Sequence, residues 1–328
     1  MESIGSPVLW FGFVAFVVAM LAVDLGVFHR RAHVVGFREA LAWSGVWAGL
    51  SLAFGAWVWW VFGAERGVEF LTGWLIEKSL SVDNIFVFVI IFSALGIPAL
   101  YQHRVLFWGI LSALVLRAMM IFAGAAMLER FHWLIYVFGA FLIATGVKLL
   151  LERGRHASPE EPWTLRWVRR LVPSSERFDG DRFFTLENGR RVATPLFLAL
   201  VLVEFTDVIF AIDSIPAIFA ITRDPFIVFT SNIFAILGLR SLYFLLADLV
   251  DRFRYLKVGL AAVLVFVGAK MAAVDFVKIP PLVSLALIAT LLGSSVVVSW
   301  RVSRRTAPAL ARGEETPPRV PSPAREAR

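Results

Sequence analysis

Long apolar segments alternate with short polar stretches along almost the whole chain. A helix of about 20 apolar residues is long enough to cross the hydrocarbon core of a bilayer. The pattern predicts an all-α polytopic membrane protein whose transmembrane domain covers residues 1–300. About nine transmembrane helices are expected, at residues 7–28, 41–62, 71–95, 104–127, 131–151, 195–220, 226–248, 256–275 and 281–300.

Two stretches of the chain are too polar to lie in the hydrocarbon core. The loop 152–194 begins with residues 162–172, where aromatic and aliphatic side chains alternate with arginines, which predicts an interfacial helix. Later in the loop, Asn188 and Gly189 form a dipeptide typical of a hairpin turn. The tail 301–328 is rich in Pro, Arg and Glu, which predicts a disordered segment.

Composition narrows the class of protein and of ligand. The chain is 59% hydrophobic and has no cysteine, so disulfides and thiolate metal sites are excluded. Its five histidines lie near segment ends or in loops, which favours hard, oxygen-seeking cations over zinc or copper. No nucleotide-binding or metalloprotease motif is found, so we expect neither an enzyme, nor a bound cofactor, nor ATP-driven transport.

The basic residues predict an orientation rather than a nucleic-acid partner. The net charge is +7, but nine arginines lie between 152 and 194, and most of the others lie in alternate loops. Loops rich in Lys and Arg stay on the cytoplasmic side. We therefore expect a multi-pass protein of the inner (plasma) membrane, with its N-terminus outside and its C-terminus in the cytoplasm. Each predicted outer loop then has one basic residue: Arg66, Arg130, Arg223 and Lys278.

Six acidic residues lie within the predicted spans, where each carboxylate costs ~2.5 kcal/mol or more. They are Asp24, Glu77, Asp83, Glu204, Asp207 and Asp213. Four of them form two similar patterns, Glu77-x5-Asp83-Asn84 and Asp207-x5-Asp213-Ser214. Such costly residues usually hold cations or relay protons, so the patterns predict an ion transporter.

The two acidic patterns belong to a longer internal repeat. Each is followed by a Leu-Arg pair and then by Gly-x-Lys, and the lysine comes 31 positions after the arginine in the first copy and 30 in the second. Spans three to five therefore correspond to spans six to eight, and an odd number of spans makes the repeat inverted. Inverted repeats are typical of secondary transporters, which bind substrate near the membrane midplane. The matching basic residues are Arg117 with Arg240 and Lys148 with Lys270.

On a helix, the polar residues of each pattern form two stripes roughly 120° apart. They can converge on one ion only if a turn unwinds or if two helices face each other. Pro216 predicts a break in span six, because proline removes a helical hydrogen bond. Structural ion pairing is the alternative role, since Lys78, Arg117, Lys148, Arg240 and Lys270 also lie in spans. We expect a mixed role, in which the bases pair with the acids when the ion is absent.

Four runs of sequence resemble the TerC family of integral membrane proteins. They are EKSLSVDNIFV at 77–87, YQHRVLFWG at 101–109, TDVIFAIDSIPA at 206–217 and AITRDPFIVFT at 220–230. Members of that family are associated with tellurite resistance, and several export manganese. The resemblance implies metal binding by Glu77, Asp83, Asn84, Glu204, Asp207, Asp213 and Ser214.

Together, these features predict a secondary exporter of divalent cations, most of all Mn²⁺, with Ca²⁺ equally suited to oxygen ligands. Its partners would be the metal ion and the lipid bilayer, and protonation of Asp83 or Asp213 would couple export to proton exchange. Two alternatives remain open. One is a membrane assembly or tellurite-resistance complex factor that docks partners through 152–194 and the tail. The other is an exporter of basic amino acids.

Overall fold

Helices follow the apolar segments of the chain. The computed structural model describes residues 3–28, 36–131, 133–151, 172–187, 189–246, 256–277 and 279–311. The predicted interfacial helix covers residues 162–172. All of it except residue 172 falls outside these ranges. The side chains of Asp24 and Asp83 are also outside the described part, although both positions are helical.

Ten helices and one hairpin are described within these ranges. The first half of the chain forms α1 Pro7–Phe28, α2 Phe37–Phe62, α3 Ala64–Ala94, α4 Ala99–Arg130 and α5 Leu134–Leu151. The strands β1 Phe184–Glu187 and β2 Arg190–Ala193 then pair in antiparallel fashion at the position of the predicted hairpin. The second half forms α6 Pro195–Phe219, α7 Pro225–Leu237, α8 Leu239–Leu246, α9 Leu256–Ala272 and α10 Pro281–Ala311.

The helices agree with the predicted membrane-spanning class, but they do not establish every predicted span. Among the described residues, five helices are long and apolar enough to cross a bilayer: α2, α4, α5, α6 and α10. A sixth span is formed if α7 and α8, which bend by 41° at Gly238, are taken together. Shorter apolar helices cover Pro7–Val23 and Val258–Ala272. The all-α class is therefore confirmed, with five or six candidate spans in the described part, while the count of nine and the inverted repeat stay predictions.

The central helices begin at residues whose chemistry suits a helix start. Pro195 and Pro225 open α6 and α7, where a missing backbone N–H costs nothing. The Asp224 carboxylate caps α7 by accepting a hydrogen bond from the Phe226 N–H at 2.9 Å. Pro216 does not unwind α6, which stays helical to Phe219. The polar residues of α6 therefore keep a regular helical spacing.

Aromatic side chains attach α1 to the rest of the bundle. The Trp10 ring lies 5.1 Å from that of Phe226 and 5.3 Å from that of Phe229, both on α7. One turn later, the Phe13 ring lies 5.6 Å from Phe54 on α2 and 5.7 Å from Phe234 on α7. These rings keep the backbone of α1 at a distance from its neighbours. The tighter helix contacts lie elsewhere.

The backbones of α5 and α9 approach each other closely, and glycines permit this. A Cβ atom on Gly268 would lie 2.6 Å from the carbonyl oxygen of Gly139, and one on Gly139 would lie 2.9 Å from that of Gly268. One on Gly146 would lie 2.8 Å from the carbonyl oxygen of Ala261. Small residues are the usual means by which membrane helices approach closely. The two helices therefore pack backbone to backbone.

We expect Gly268→Ala to lower the free energy of unfolding by about 1–3 kcal/mol, because the added methyl overlaps a backbone carbonyl that cannot move aside. Gly293→Ala is the matched control, since Gly293 also lies inside a helix and a Cβ atom added there would have no atom of a neighbouring element within 4 Å. Unfolding of both variants in mixed detergent micelles measures the difference. Equal stability of the two would contradict the packing described here.

Candidate functional site

The centre of the helix bundle contains an arginine with two carboxylate partners. Arg117 lies on α4, and only 1% of its surface is exposed. Its Nη2 donates to Oδ1 of Asp207 at 2.8 Å, and its Nε donates to Oδ2 of the same residue at 3.1 Å. Its Nη1 donates to Oε1 of Glu77. The bidentate pair with Asp207 is the stronger and more directional form of an ion pair.

Two neutral side chains complete this network. Asn232 on α7 donates from Nδ2 to Oε2 of Glu77 at 3.0 Å and accepts from Nη1 of Arg117 at 3.3 Å. Ser214 Oγ lies 3.5 Å from the same Nη1 atom. The network therefore joins α3, α4, α6 and α7, the four helices that carry its members. We call Glu77, Arg117, Asp207, Ser214 and Asn232 the central network.

The central network has more negative than positive charge. With its three ionisable groups charged, two carboxylates face one guanidinium, which leaves a formal charge of −1. Both carboxylates are almost completely buried, with Glu77 0% and Asp207 4% exposed. In such surroundings charges interact strongly and an unpaired charge is costly. The network can therefore attract a cation or a proton, provided that one can reach it.

Glu204 lies one helical turn before Asp207 and is only partly satisfied. Its Oε1 accepts a hydrogen bond from Ser112 Oγ on α4 at 2.5 Å. Its Oε2 is buried and has no hydrogen-bond partner. The two helices are close here because Gly109 has no side chain, and a Cβ at that position would lie 3.1 Å from Val203 Cγ1. Glu204 thus offers a free acceptor beside the central network.

Buried polar atoms continue along α3 beyond Glu77. Ser81 and Asn84 are 0% and 1% exposed, and the Ser81 Oγ and Asn84 Oδ1 atoms have no hydrogen-bond partner. A buried polar group without a partner costs about 1–3 kcal/mol. These two oxygens therefore mark a stretch of α3 that is suited to a polar ligand.

Asp213 occupies a different environment from Asp207. It is half-buried, and its Oδ1 accepts a hydrogen bond from Thr145 Oγ1 on α5 at 3.3 Å. Lys148, one turn further along α5, lies within electrostatic range of it. The second polar stripe of α6 thus faces α5, whereas the first faces α3 and α4. The structure brings Glu77, Asp207 and Ser214 together and leaves Asp213 apart.

Within the described part of the chain, no three Asp, Glu or His side chains are grouped so that they could hold a metal ion. The central network has the oxygen donors, but the Arg117 guanidinium lies between the Glu77 and Asp207 carboxylates. The predicted ligand set therefore stays a prediction.

Sequence reasoning missed Asn232 and two hydroxyl donors, Ser112 and Thr145. Asn232 had a detectable signal, since Thr230, Ser231 and Asn232 form a polar triplet within the apolar segment 226–237. The hydroxyl donors had none, because serine and threonine often bond their own helix backbone, and Ser112 Oγ also bonds the carbonyl of Trp108 at 2.7 Å. Arg117 was predicted to pair with acids, and this is confirmed by its contacts.

The buried charges and apolar helices together define an integral membrane protein. Residues 62–307 match the family described as "Integral membrane protein TerC family", and the chain belongs to this family. The resemblance found in the sequence is thereby confirmed.

Relatives match over almost their whole length. An "Uncharacterized membrane protein STKORF319" of Myxococcus xanthus is 71% identical over 302 residues, which cover 92% of this chain and 95% of that protein. The "Putative membrane-bound redox modulator Alx" of Escherichia coli strain K12 is 48% identical over 314 residues, covering 93% and 98%. No solved structure matches the chain.

We expect Arg117→Met to lower the free energy of unfolding by about 3–5 kcal/mol, because it leaves two buried carboxylates without their counter-charge. Arg104→Met is the matched control. Arg104 pairs with Asp181 at the surface, where an ion pair contributes about 0–1 kcal/mol. Unfolding in mixed micelles compares the two variants.

Neutralising the acids tests the cause of this loss. Adding Glu77→Gln and Asp207→Asn to Arg117→Met removes the unpaired charges, so most of the stability should return. A triple variant as unstable as the single one would assign the loss to packing rather than to charge.

Proposed function

We propose that this chain is a secondary exporter of divalent metal cations, with Mn²⁺ as its main cargo, and not an enzyme. The main support for this proposal is that the two acidic patterns meet at one buried side chain. Glu77 comes from the first pattern and Asp207 from the second, yet both contact one buried side chain. Carboxylate, amide and hydroxyl oxygens suit Mn²⁺ and also Ca²⁺. The proposed ligands are drawn from Glu77, Asp83, Asn84, Glu204, Asp207, Asp213 and Ser214.

Helix packing supports transport by alternating access. In the proposed inverted repeat, α3 corresponds to α6, and α5 corresponds to α9. Each helix packs against its counterpart, as elements near a two-fold axis do. A site between the halves can then open to either side as one half rocks against the other. In the proposed orientation, the N-terminus is outside the inner membrane and the C-terminus is in the cytoplasm.

Manganese efflux tests the proposal directly. Cells that lack their own manganese exporters would express the chain, its Asp207→Asn variant or its Asp213→Asn variant at matched membrane levels. We expect efflux by the unchanged chain and a loss of about tenfold or more in each variant, because groups around a metal site typically contribute that much. Glu65→Gln is the control, since Glu65 is an exposed carboxylate at the start of α3.

Proton exchange is a separate part of the proposal, with Asp83 or Asp213 as the group that takes up the proton when the metal leaves. In proteoliposomes, an imposed proton gradient should drive Mn²⁺ in the opposite direction, with measurable proton counterflow. Asp213→Asn should slow this exchange if Asp213 is the coupling group. A transport rate independent of pH, without proton counterflow, would contradict the coupling but not the export.

A second candidate is a membrane assembly or resistance-complex factor without transport activity. The hairpin favours it, because β1 and β2 form a defined surface held against the bundle by Arg104 with Asp181 and by Phe184 with Phe197, whose rings lie 4.6 Å apart. The Alx relatives are named as redox modulators. A similar role here would need chemistry other than thiols, since this sequence contains no cysteine.

The two candidates differ in which change they tolerate. A scaffold should keep its activity in Asp207→Asn and lose it when residues 176–191 are replaced by a short linker. An exporter should show the reverse. If the folded chain moves no Mn²⁺ at all, the exporter proposal is wrong for this metal.

A further inference from the structure

We infer that Arg117 is a built-in competitor of the transported cation, and that Glu204 receives its guanidinium when the cation occupies Glu77 and Asp207. This inference rests on the proposed export function and adds a switch to it. The protein would then alternate between a state in which its own side chain fills the cation position and a state in which the cargo does.

Competition follows from the contacts of Arg117. Its three nitrogens use both oxygens of Asp207 and one oxygen of Glu77. A divalent cation between these carboxylates would need the same lone pairs and would be repelled by the guanidinium at close range. Cargo can bind there only after Arg117 has moved away. The apparent affinity for cargo is therefore the intrinsic affinity multiplied by the fraction of time that Arg117 is away from this position.

A displaced guanidinium needs another partner, because an unpaired buried charge is strongly unfavourable. Glu204 Oε2 is a buried carboxylate oxygen without a hydrogen-bond partner. It lies on the same helix as Asp207, one turn away, which corresponds to about 4.5 Å along the axis. Ser112 already holds the other oxygen, so the acceptor is fixed in place. Asn84 Oδ1 also lacks a partner, but a neutral amide cannot balance the charge.

The direction of the move suits an arginine on α4. Ser112 contacts Glu204 and Arg117 contacts Asp207, so α4 and α6 run in the same direction along this contact. Side chains on a helix lean toward its N-terminus. For Arg117, this is the direction of Glu204. In the inferred switch, Arg117 therefore exchanges one carboxylate for the other by a change of side-chain rotamer.

Equilibrium binding of Mn²⁺ to the purified full chain in detergent tests the competition. Arg117→Met removes the competitor, so Mn²⁺ should bind about tenfold tighter or more, while transport slows because nothing expels the cargo. Arg117→Lys keeps the charge but cannot form the bidentate bond to Asp207, so it should also bind Mn²⁺ more tightly, by a smaller factor. The lysine variant tests the inference even if the methionine variant does not fold. Arg104→Met, at the surface, should bind as the unchanged chain does.

A double-mutant cycle tests the role of Glu204. If Glu204 accepts the displaced guanidinium, it affects Mn²⁺ binding only when residue 117 is basic. Glu204→Gln should therefore weaken Mn²⁺ binding in the unchanged chain by about tenfold, and it should have no effect in the Arg117→Met background. In the Arg117→Lys background the effect should be smaller than in the unchanged chain, because the shorter ammonium depends less on this acceptor. A metal ligand would instead lose affinity equally in every background.

Each result separates this inference from the proposed function. Tighter binding in the Arg117 variants, with an effect of Glu204→Gln that depends on Arg117, supports the switch. If the unchanged chain transports Mn²⁺ but both Arg117 variants bind it equally or less tightly, the inference is wrong and the exporter proposal stands. An equal effect of Glu204→Gln in all backgrounds also overturns it and makes Glu204 a ligand. If neither the unchanged chain nor any variant binds or transports Mn²⁺, both fail.

Discussion

The ion pairs of Arg117 with Glu77 and Asp207 constrain the rest of the structure. All three side chains are buried in a bundle of apolar helices, where a charge without a partner is costly. The pairs therefore hold α3, α4 and α6 in one relative position, and Asn232 adds α7 by bonding both Glu77 and Arg117. A slide of any of these helices by one turn would leave a charge unpaired. The pairs therefore distinguish this arrangement from others that similar apolar helices could adopt.

Close helix packing is the second requirement, because aspartate and serine side chains are short. Gly109 brings α4 against α6, and a Cβ on Gly73 of α3 would lie 2.8 Å from Ser231 Oγ on α7. Away from the central network, Gly139 and Gly268 join α5 to α9. Small residues thus occur at contacts around the charged centre as well as away from it. They allow backbones to approach until short polar side chains can meet.

Much of the fold could be predicted from the sequence, but less of the site. Apolar length predicted the helices, and the cost of buried charge singled out the acids and Arg117. The two polar stripes on α6 were also evident, yet a single sequence cannot tell which stripe meets which helix. Asp207 faces Arg117, whereas Asp213 faces Thr145 on α5. The expected break at Pro216 was wrong, because α6 stays helical to Phe219. The carboxylates come together across facing helices instead. Asn232 was missed because it lies outside both acidic patterns, although the triplet 230–232 interrupts the apolar segment.

The two polar stripes of α6 place their aspartates near different basic residues. Asp207 has an arginine, which stays charged in any surroundings and binds a carboxylate through two hydrogen bonds. Asp213 has Lys148 in electrostatic range and only a hydroxyl, from Thr145, as a described hydrogen-bond donor. The first arrangement is the more rigid and the more costly to open. The second acid lies at a half-buried position, beside a hydroxyl and a lysine. The proposed export would use both arrangements, because cargo must be held at one point of the cycle and a proton exchanged at another. The division of α6 into an acid in a bidentate pair and a half-buried acid supports that proposal.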